Sequence, residues 1–531
     1  MKKCHLVLIL LITGLVGAFA GNVAPPVLES FGGSPPPPSQ STSGARLAVS
    51  TAFGTSYQVN VNGSGQNIIG DAANEPSLCL DPNNPNRVAI GWRQFNSITN
   101  DFRQAGWGWS SNGGVNWTFG GVLETNVFRS DPVLASDANG NFSYLSLQPS
   151  PAFHNDLWQS TNGGMSWQKK AEAVGGDKAW LTIDTTTSPG RGNIYQCWST
   201  AANSYSNRIF SRSGDSGATW LDPLPLPQTP YWATLDTGPN GELYQFGWNG
   251  NGFWLNRSLN ATNAAASPTF DLTTSVNLGG ALMFSGGNPV NPGGLLGQPW
   301  IAVDKSSGPA RGNLYGVCSV SGTGNPVNVM FARSTNAGAT WSAPIRINDD
   351  SPTQNAWHWF GTLSVAPNGR IDVCWNDTRS NTNNNFSELY YAYSHDGGLS
   401  WATNRAISPS FNHTLGYPVQ QKMGDYIGMI SIEDAACIAY TATFNGEEDI
   451  YFIRVEQPII AAITRTGSGV RLSWNSVAGR TYCVQVKTNL IIPWSAGTTL
   501  GCLVATNSVT ILEDQSVSTV PQRFYRVVKQ P

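Results

Sequence analysis

Apolar residues in this chain come in short runs, and the polar residues between them are the ones that make turns. EPSLCLDPNNPNRVAIGW, starting at Glu75, is an apolar run, a turn rich in Asp, Asn and Pro, and a second run ending on Trp. This is the pattern of a β-hairpin. It begins again at Asp131 (DPVLASDANGNFSYLS), Asp177 (DKAWLTIDTTTSPGRGNIYQCW), Tyr231 (YWATLDTGPNGELYQFGW), Gln298 (QPWIAVDKSSGPARGNLYGVC), Trp357 (WHWFGTLSVAPNGRIDVCW) and Gly424 (GDYIGMISIEDAACIAY). These seven units start 46 to 67 residues apart. A third strand follows, alternating in GWGWSS, DLWQST, RIFSRS, VMFARS and YYAYSH. Helical periodicity is almost absent. Strand repeats of this length predict four-stranded sheets arranged radially, an all-β, seven-bladed β-propeller.

The third strands run into an octet: SSNGGVNW at Ser110, STNGGMSW at Ser160, SGDSGATW at Ser213, STNAGATW at Ser334 and SHDGGLSW at Ser394. The shared pattern is SxDxGxxW, with Asn for Asp in three of the five. Ser and Asp or Asn suit the exposed N–H groups of a tight turn, Gly supplies a positive φ, and Trp packs between neighbouring sheets. The octet is therefore a folding device. The fourth unit keeps Ser258 and Asn260 but loses the Gly and Trp, and the seventh has DIYFIRV at Asp449 and no octet. Its missing outer strand is expected from ARLAVST or YQVNVN near the N-terminus, which would close the ring and remove its edge strands.

The flanks divide the chain further. Residues 1–20 have the charged start, apolar run and small-residue end of a cleaved signal peptide, which predicts a secreted or periplasmic protein. Residues 21–44 contain PPPPSQSTSG and read as a linker, 45–455 hold the propeller, and 456–531 read as a small C-terminal β-sandwich. No later run is long and apolar enough to span a bilayer. With 12% charged residues and a net charge of −3, no basic field exists for a nucleic acid. Cys197, Cys318 and Cys374 are expected as buried free thiols, and Cys483 and Cys502 are the pair expected to bridge. His154, His395 and His413 are scattered, so no metal and no cofactor is expected.

With these octets, residues 45–455 resemble the sialidase-like family of Asp-box (BNR-repeat) propellers. The resemblance implies a propeller acting on a glycan or glycoconjugate, by exo-α-sialidase-type glycoside hydrolysis, and six blades as the alternative to the seven hairpins seen here. The C-terminal segment resembles accessory domains of secreted environmental bacterial proteins, a module that could dock on a cell surface or matrix.

Propeller geometry puts the starts of the innermost strands and the ends of the second strands on one face and the octet turns on the other. Chemistry is therefore sought at Glu75, Arg129, Asp131, Asp177, Lys178, Trp357, His358, Asp425 and Tyr426, and at Arg93 and Arg379. The resemblance implies Tyr426 as nucleophile with Glu75 as its activator, and Asp131 as the acid. It implies Arg93, Arg129 and Arg379 as a carboxylate clamp. Asp177, Lys178, Trp357, His358 and Asp425 would complete the substrate contacts. Each residue has a structural alternative: Tyr426 packing at the closure, Asp425 fixing a turn, Arg379 tied to Asp377, His358 packed and hydrogen-bonded. A non-catalytic glycan- or protein-binding propeller is the second functional expectation, favoured by the absence of the Phe/Tyr-Arg-Ile-Pro motif that marks sialidases.

Overall fold

The computed structural model describes residues 40–41 and 47–529, apart from 150–151, 231, 284–287, 323, 458–459, 468, 477–478, 490, 492–496, 507–508 and 517–521. The signal peptide and nearly all of the linker expected from the sequence lie outside the described residues. Among the described residues the fold is all-β, with no α-helix and hence none long and apolar enough to cross a membrane.

The sheets are antiparallel, and the strands of the ring run outward in chain order. Their first strands are Ala72–Asp81, Ser130–Ser136, Trp180–Ile183, Trp232–Thr237, Trp300–Val303, His358–Val365 and Gly428–Ile432. Each packs against the next, and Gly428–Ile432 packs against Ala72–Asp81, so the series closes on itself around an axis. The closing sheet is a composite. Asp449–Glu456 pairs with Gly54–Gln58, which pairs with Ala48–Thr51, so two N-terminal strands supply the outer positions that the seventh unit lacks. The outer edge of Asp449–Glu456 is thereby covered, and Ala48–Thr51 becomes the outermost strand of the closing sheet.

The octets form one repeated turn. The Ser hydroxyl donates to the Asp or Asn side chain, at 2.7 Å in Ser213–Asp215 and 2.8 Å in Ser394–Asp396. It also accepts the N–H of the octet Gly, at 2.7 Å from Gly217 and 3.0 Å from Gly398. The Asp or Asn oxygen then accepts the N–H four residues on, as Asp396 does from Ser400 at 2.9 Å. That Gly has φ between 81° and 89° in all five turns. A Cβ there would collide with the preceding sheet: 2.1 Å from Phe452 at Gly114, 2.1 Å from Leu157 at Gly217 and 2.4 Å from Phe331 at Gly398. Glycine is needed both for the turn and for the close approach of neighbours. The octet Trp crosses the same gap, with Trp117 5.3 Å from Phe452 and Trp401 5.1 Å from Phe331.

After the ring, Ile460–Arg465, Val470–Asn475 and Val509–Asp514 form one sheet, and Thr481–Lys487, Thr498–Val504 and Phe524–Lys529 another. Both contribute to one small core around Trp474, Leu472, Tyr482 and Val484. Cys483 and Cys502 are joined by a disulfide, whereas Cys79, Cys197, Cys318, Cys374 and Cys437 are buried free thiols.

The turn chemistry yields a stability test. Asp396→Ala removes the acceptor for the Leu399 and Ser400 N–H groups and is expected to cost about 1–2 kcal/mol in denaturant unfolding. Asp396→Asn keeps that oxygen and is expected to stay within about 0.5 kcal/mol of the parent.

Candidate functional site

The inner strands do not begin smoothly. In three sheets one extra residue is inserted there: between Asn74 and Ser77, between Ser130 and Val133, and between Trp359 and Thr362. Glu75, Asp131 and Phe360 occupy these bulges in left-handed conformations, with φ of 53°, 46° and 61°, and Lys178 has φ of 54° just ahead of the third sheet. A bulge re-aims its side chain. Here it turns charged groups from sheets far apart in the chain toward the ring axis.

They meet there. Lys178 Nζ lies 2.6 Å from Asp425 Oδ2, 3.3 Å from Asp131 Oδ1 and 4.0 Å from Glu75 Oε1. Lys422 Nζ lies 2.7 Å from Asp425 Oδ2 and 3.5 Å from Glu75 Oε1, and Arg93 Nε lies 3.2 Å from Glu75 Oε2. Lys178 also donates its backbone N–H to Asp131 at 2.6 Å. Asp177 and Tyr426 complete the group. None of Glu75, Arg93, Asp131, Asp177, Lys178, Lys422, Asp425 and Tyr426 is more than 2% exposed.

Two segments fold over this end of the ring and seal it. Asn291 donates to the Gly424 carbonyl at 2.8 Å and accepts the Met423 N–H at 2.9 Å, while Leu295 donates its N–H to Asp425 Oδ1 at 2.8 Å. Gly424, with φ of 89°, lets the second segment rest on Glu75: a Cβ there would lie 2.5 Å from Glu75 Cγ.

Burial and pairing divide the protons unevenly. Burial raises Glu75 to about 6 against the opposing pull of Arg93, Lys178 and Lys422. It raises Asp177 to about 8, helped by the charge of Asp131 and opposed by Lys178. Burial pushes Asp425 the same way, but Lys178, Lys422 and Arg93 together hold it well below the usual carboxylate range. Tyr426 is pushed well above the ordinary phenol value by burial and then by Glu75 and Asp131. Its hydroxyl donates to the Pro132 carbonyl at 2.9 Å, and its ring stands edge-on to Trp180 at 5.2 Å. A nucleophile needs an adjacent base or a lowered pKa, and access to substrate; the Tyr426 hydroxyl is spent on the Pro132 carbonyl and the residue is 2% exposed.

Glu75, Asp131, Asp177, Lys178, Asp425, Tyr426 and Arg93 are thus brought together, but the three arginines are not. Arg129 pairs with Glu124 and with Asp156, the latter at 2.5 Å. Arg379 pairs with Asp377 and Asp349, at 2.8 and 2.6 Å, and lies over the Tyr390 ring. The expected clamp is therefore corrected: the guanidinium groups of Arg129 and Arg379 are taken by carboxylates of their own neighbourhood. His358 is fully buried, with Nδ1 2.7 Å from the Val327 carbonyl and Nε2 3.1 Å from Asp350. Trp357 is held through its backbone, donating to Thr378 Oγ1 at 2.9 Å. Both belong to the packing of the sixth sheet. Asp177 and Lys178 likewise lie in the interior, at 0% and 2% exposure. Lys422 was missed, although a Lys three residues before Asp425 in QKMGD was the available signal.

The ring is open at its other end. A cavity of about 460 Å³ is lined by the ends of the inner strands of the fourth to seventh sheets, including Leu363 and Met429, with Trp180 and Trp300 contributing. Trp180 touches Trp300 edge-on at 4.9 Å, so with Tyr426 they form an aromatic plug between the channel and the charge cluster. At the mouth, Lys305 Nζ lies 2.5 Å from Asp236 Oδ1, beside Ser306 and Ser307.

No family model and no curated protein matches this chain. Solved structures do. A Dyadobacter fermentans protein of unknown function has 13% identity and a TM-score of 0.45 over 76% of this chain and 97% of its own. A fungal alcohol oxidase in complex with copper has 12% identity and a TM-score of 0.46 over 82% of this chain and 86% of its own. A Hadza microbial sialidase has 12% identity and a TM-score of 0.35 over 69% of this chain and 76% of its own. Function has to be argued from the geometry of the site itself.

Two outcomes follow from the cluster. Asp425→Ala leaves Lys178 and Lys422 buried without their shortest partner and is expected to cost roughly 3–5 kcal/mol in denaturant unfolding. Asp177 binds its proton more tightly folded than unfolded, so the stability linked to it is complete below about pH 4 and lost as pH rises through about 8. Asp177→Asn removes that loss, and its Tm should exceed the parent's by more at about pH 9 than at about pH 5.

Proposed function

We propose that residues 45–455 form a seven-bladed Asp-box propeller, followed by a C-terminal β-sandwich, that is secreted and binds carbohydrate without cleaving it. The binding site is the channel mouth on the octet-turn face. One observation carries the reading: the residues suited to hydrolysis are sealed and spent on one another, while the cavity at the opposite end is open. Glu75 faces three cations instead of activating Tyr426, and Asp131 holds Lys178.

The channel suits a sugar. Its volume lies within the range of small-ligand sites. Indole rings on its floor offer apolar surface for C–H groups, and Asp236, Lys305, Ser306 and Ser307 at its rim can exchange hydrogen bonds with hydroxyls. The octet resemblance points to the same class of ligand.

A glycan array and a panel of fluorogenic glycosides, sialosides included, test this. The purified chain is expected to retain glycans and turn over none. Lys305→Ala should weaken binding by about tenfold, or roughly 1.4 kcal/mol, and Tyr426→Phe should leave it unchanged. Turnover that Tyr426→Phe abolishes would overturn the reading.

A further inference from the structure

The ring closure holds a second group of charged side chains, and this one has no cation. Asp71, on the approach to the inner strand of the first sheet, meets Glu447 and Asp449, at the start of the strand that the N-terminal segment completes. Each offers one carboxylate oxygen, and the three atoms lie within 4.8 Å of one another. Asp71 is 1% exposed and Asp449 fully buried.

Among the described residues their hydrogen bonds come from neutral donors. Glu447 accepts from Asn67 Nδ2 at 2.6 Å and from the Gly70 N–H at 2.8 Å. Asp449 accepts from Asn60 Nδ2 at 2.8 Å and from Asn445 Nδ2 at 3.1 Å. Asp71 Oδ2 accepts from Gln94 at 2.8 Å, and Asp71 Oδ1, buried in the same place, accepts from nothing. Among the described residues no Lys or Arg pairs with any of the three. In the axial cluster, by contrast, the buried carboxylates of Asp425 and Glu75 face Lys and Arg.

The donor set is all oxygen, three carboxylates, and Asp71 also lines a cavity of about 260 Å³ between the first sheet and the segment preceding it. Hard divalent cations take such ligands, and oxygens 2.3–2.6 Å from a common Ca²⁺ lie at most about 4.6–5.2 Å apart. Mg²⁺ sets a tighter limit of about 4.2 Å. We infer that Asp71, Glu447 and Asp449 form a Ca²⁺ site that clasps the ring closure. It joins residues 60–71 to residues 445–449, segments that nothing in the chain's order brings together, and it is independent of the glycan reading.

The test uses the full chain stripped with EDTA and dialysed. Titration with CaCl₂ is expected to give saturable heat, and saturating CaCl₂ is expected to raise Tm by several degrees, as for any ligand that binds only the folded state. Asp71→Asn keeps the shape and removes one charge, so it should lose that rise while its metal-free Tm stays at or above the parent's. Glu447→Gln, at a half-buried position, should lose the rise too and serves if Asp71→Asn does not fold. No heat and no Tm change with CaCl₂ overturns the site. So does an undiminished rise in the variants, which would place the ion elsewhere. A response to MgCl₂ without one to CaCl₂ overturns the choice of cation.

Discussion

The pairing of Gly54–Gln58 with Asp449–Glu456 holds together residues almost 400 apart through three registered partners, Ser56 with Ile453, Tyr57 with Phe452 and Gln58 with Tyr451. A radial array of sheets buries its facing surfaces only when the last sheet meets the first. Closing so long a loop is not prohibitive, because each doubling of loop length costs only about 0.6 kcal/mol. The closure then sets everything at the axis: Gly424 comes to rest on Glu75, Lys422 reaches the same carboxylate, and Phe452 receives both Gly114 and Trp117 of the first octet.

Once closed, the two ends of the ring have different physics. At one, inner-strand bulges gather carboxylates and cations whose desolvation has to be offset by mutual attraction and hydrogen bonds. The short Lys178–Asp425 and Lys422–Asp425 pairs supply that, and the segments carrying Asn291 and Gly424 exclude water. At the other end, self-sufficient octet turns leave the channel unobstructed. Perturbed ionisation marks functional sites only with some probability, because structural ion networks perturb it as well. Here Glu75, Asp177, Asp425 and Tyr426 are perturbed at the sealed end, whereas the open end is lined by aromatic and hydroxyl-bearing groups.

Much of this was legible in the chain. The octet Ser, Asp and Gly act on backbone groups within four residues, so spacing alone identifies the turn. The hairpins were readable because alternation and turn residues are equally local, and the lack of an octet after DIYFIRV pointed to a strand borrowed from the N-terminus. Radial logic also placed Glu75, Asp131, Asp177, Lys178, Asp425 and Tyr426 at one end of the ring. It failed for Arg129, which is only two residues from Asp131 but is captured by Glu124 and Asp156, and for Arg379 and His358, held by Asp377, Asp349 and Asp350. The direction a side chain takes at a bulge depends on which partner stands opposite, and that partner comes from another strand. The Asp71, Glu447 and Asp449 group was invisible for the same reason.

By itself, then, the amino-acid sequence determined the repeated sheet, its turn and its need for closure, because those follow from contacts between residues a few positions apart. The tertiary structure alone decided which charges neutralise one another, which end of the channel admits a ligand and which carboxylates are left without a counter-charge. These depend on burial, and burial is imposed by segments such as those carrying Asn291 and Gly424, whose place over the ring is fixed only after distant sheets have met.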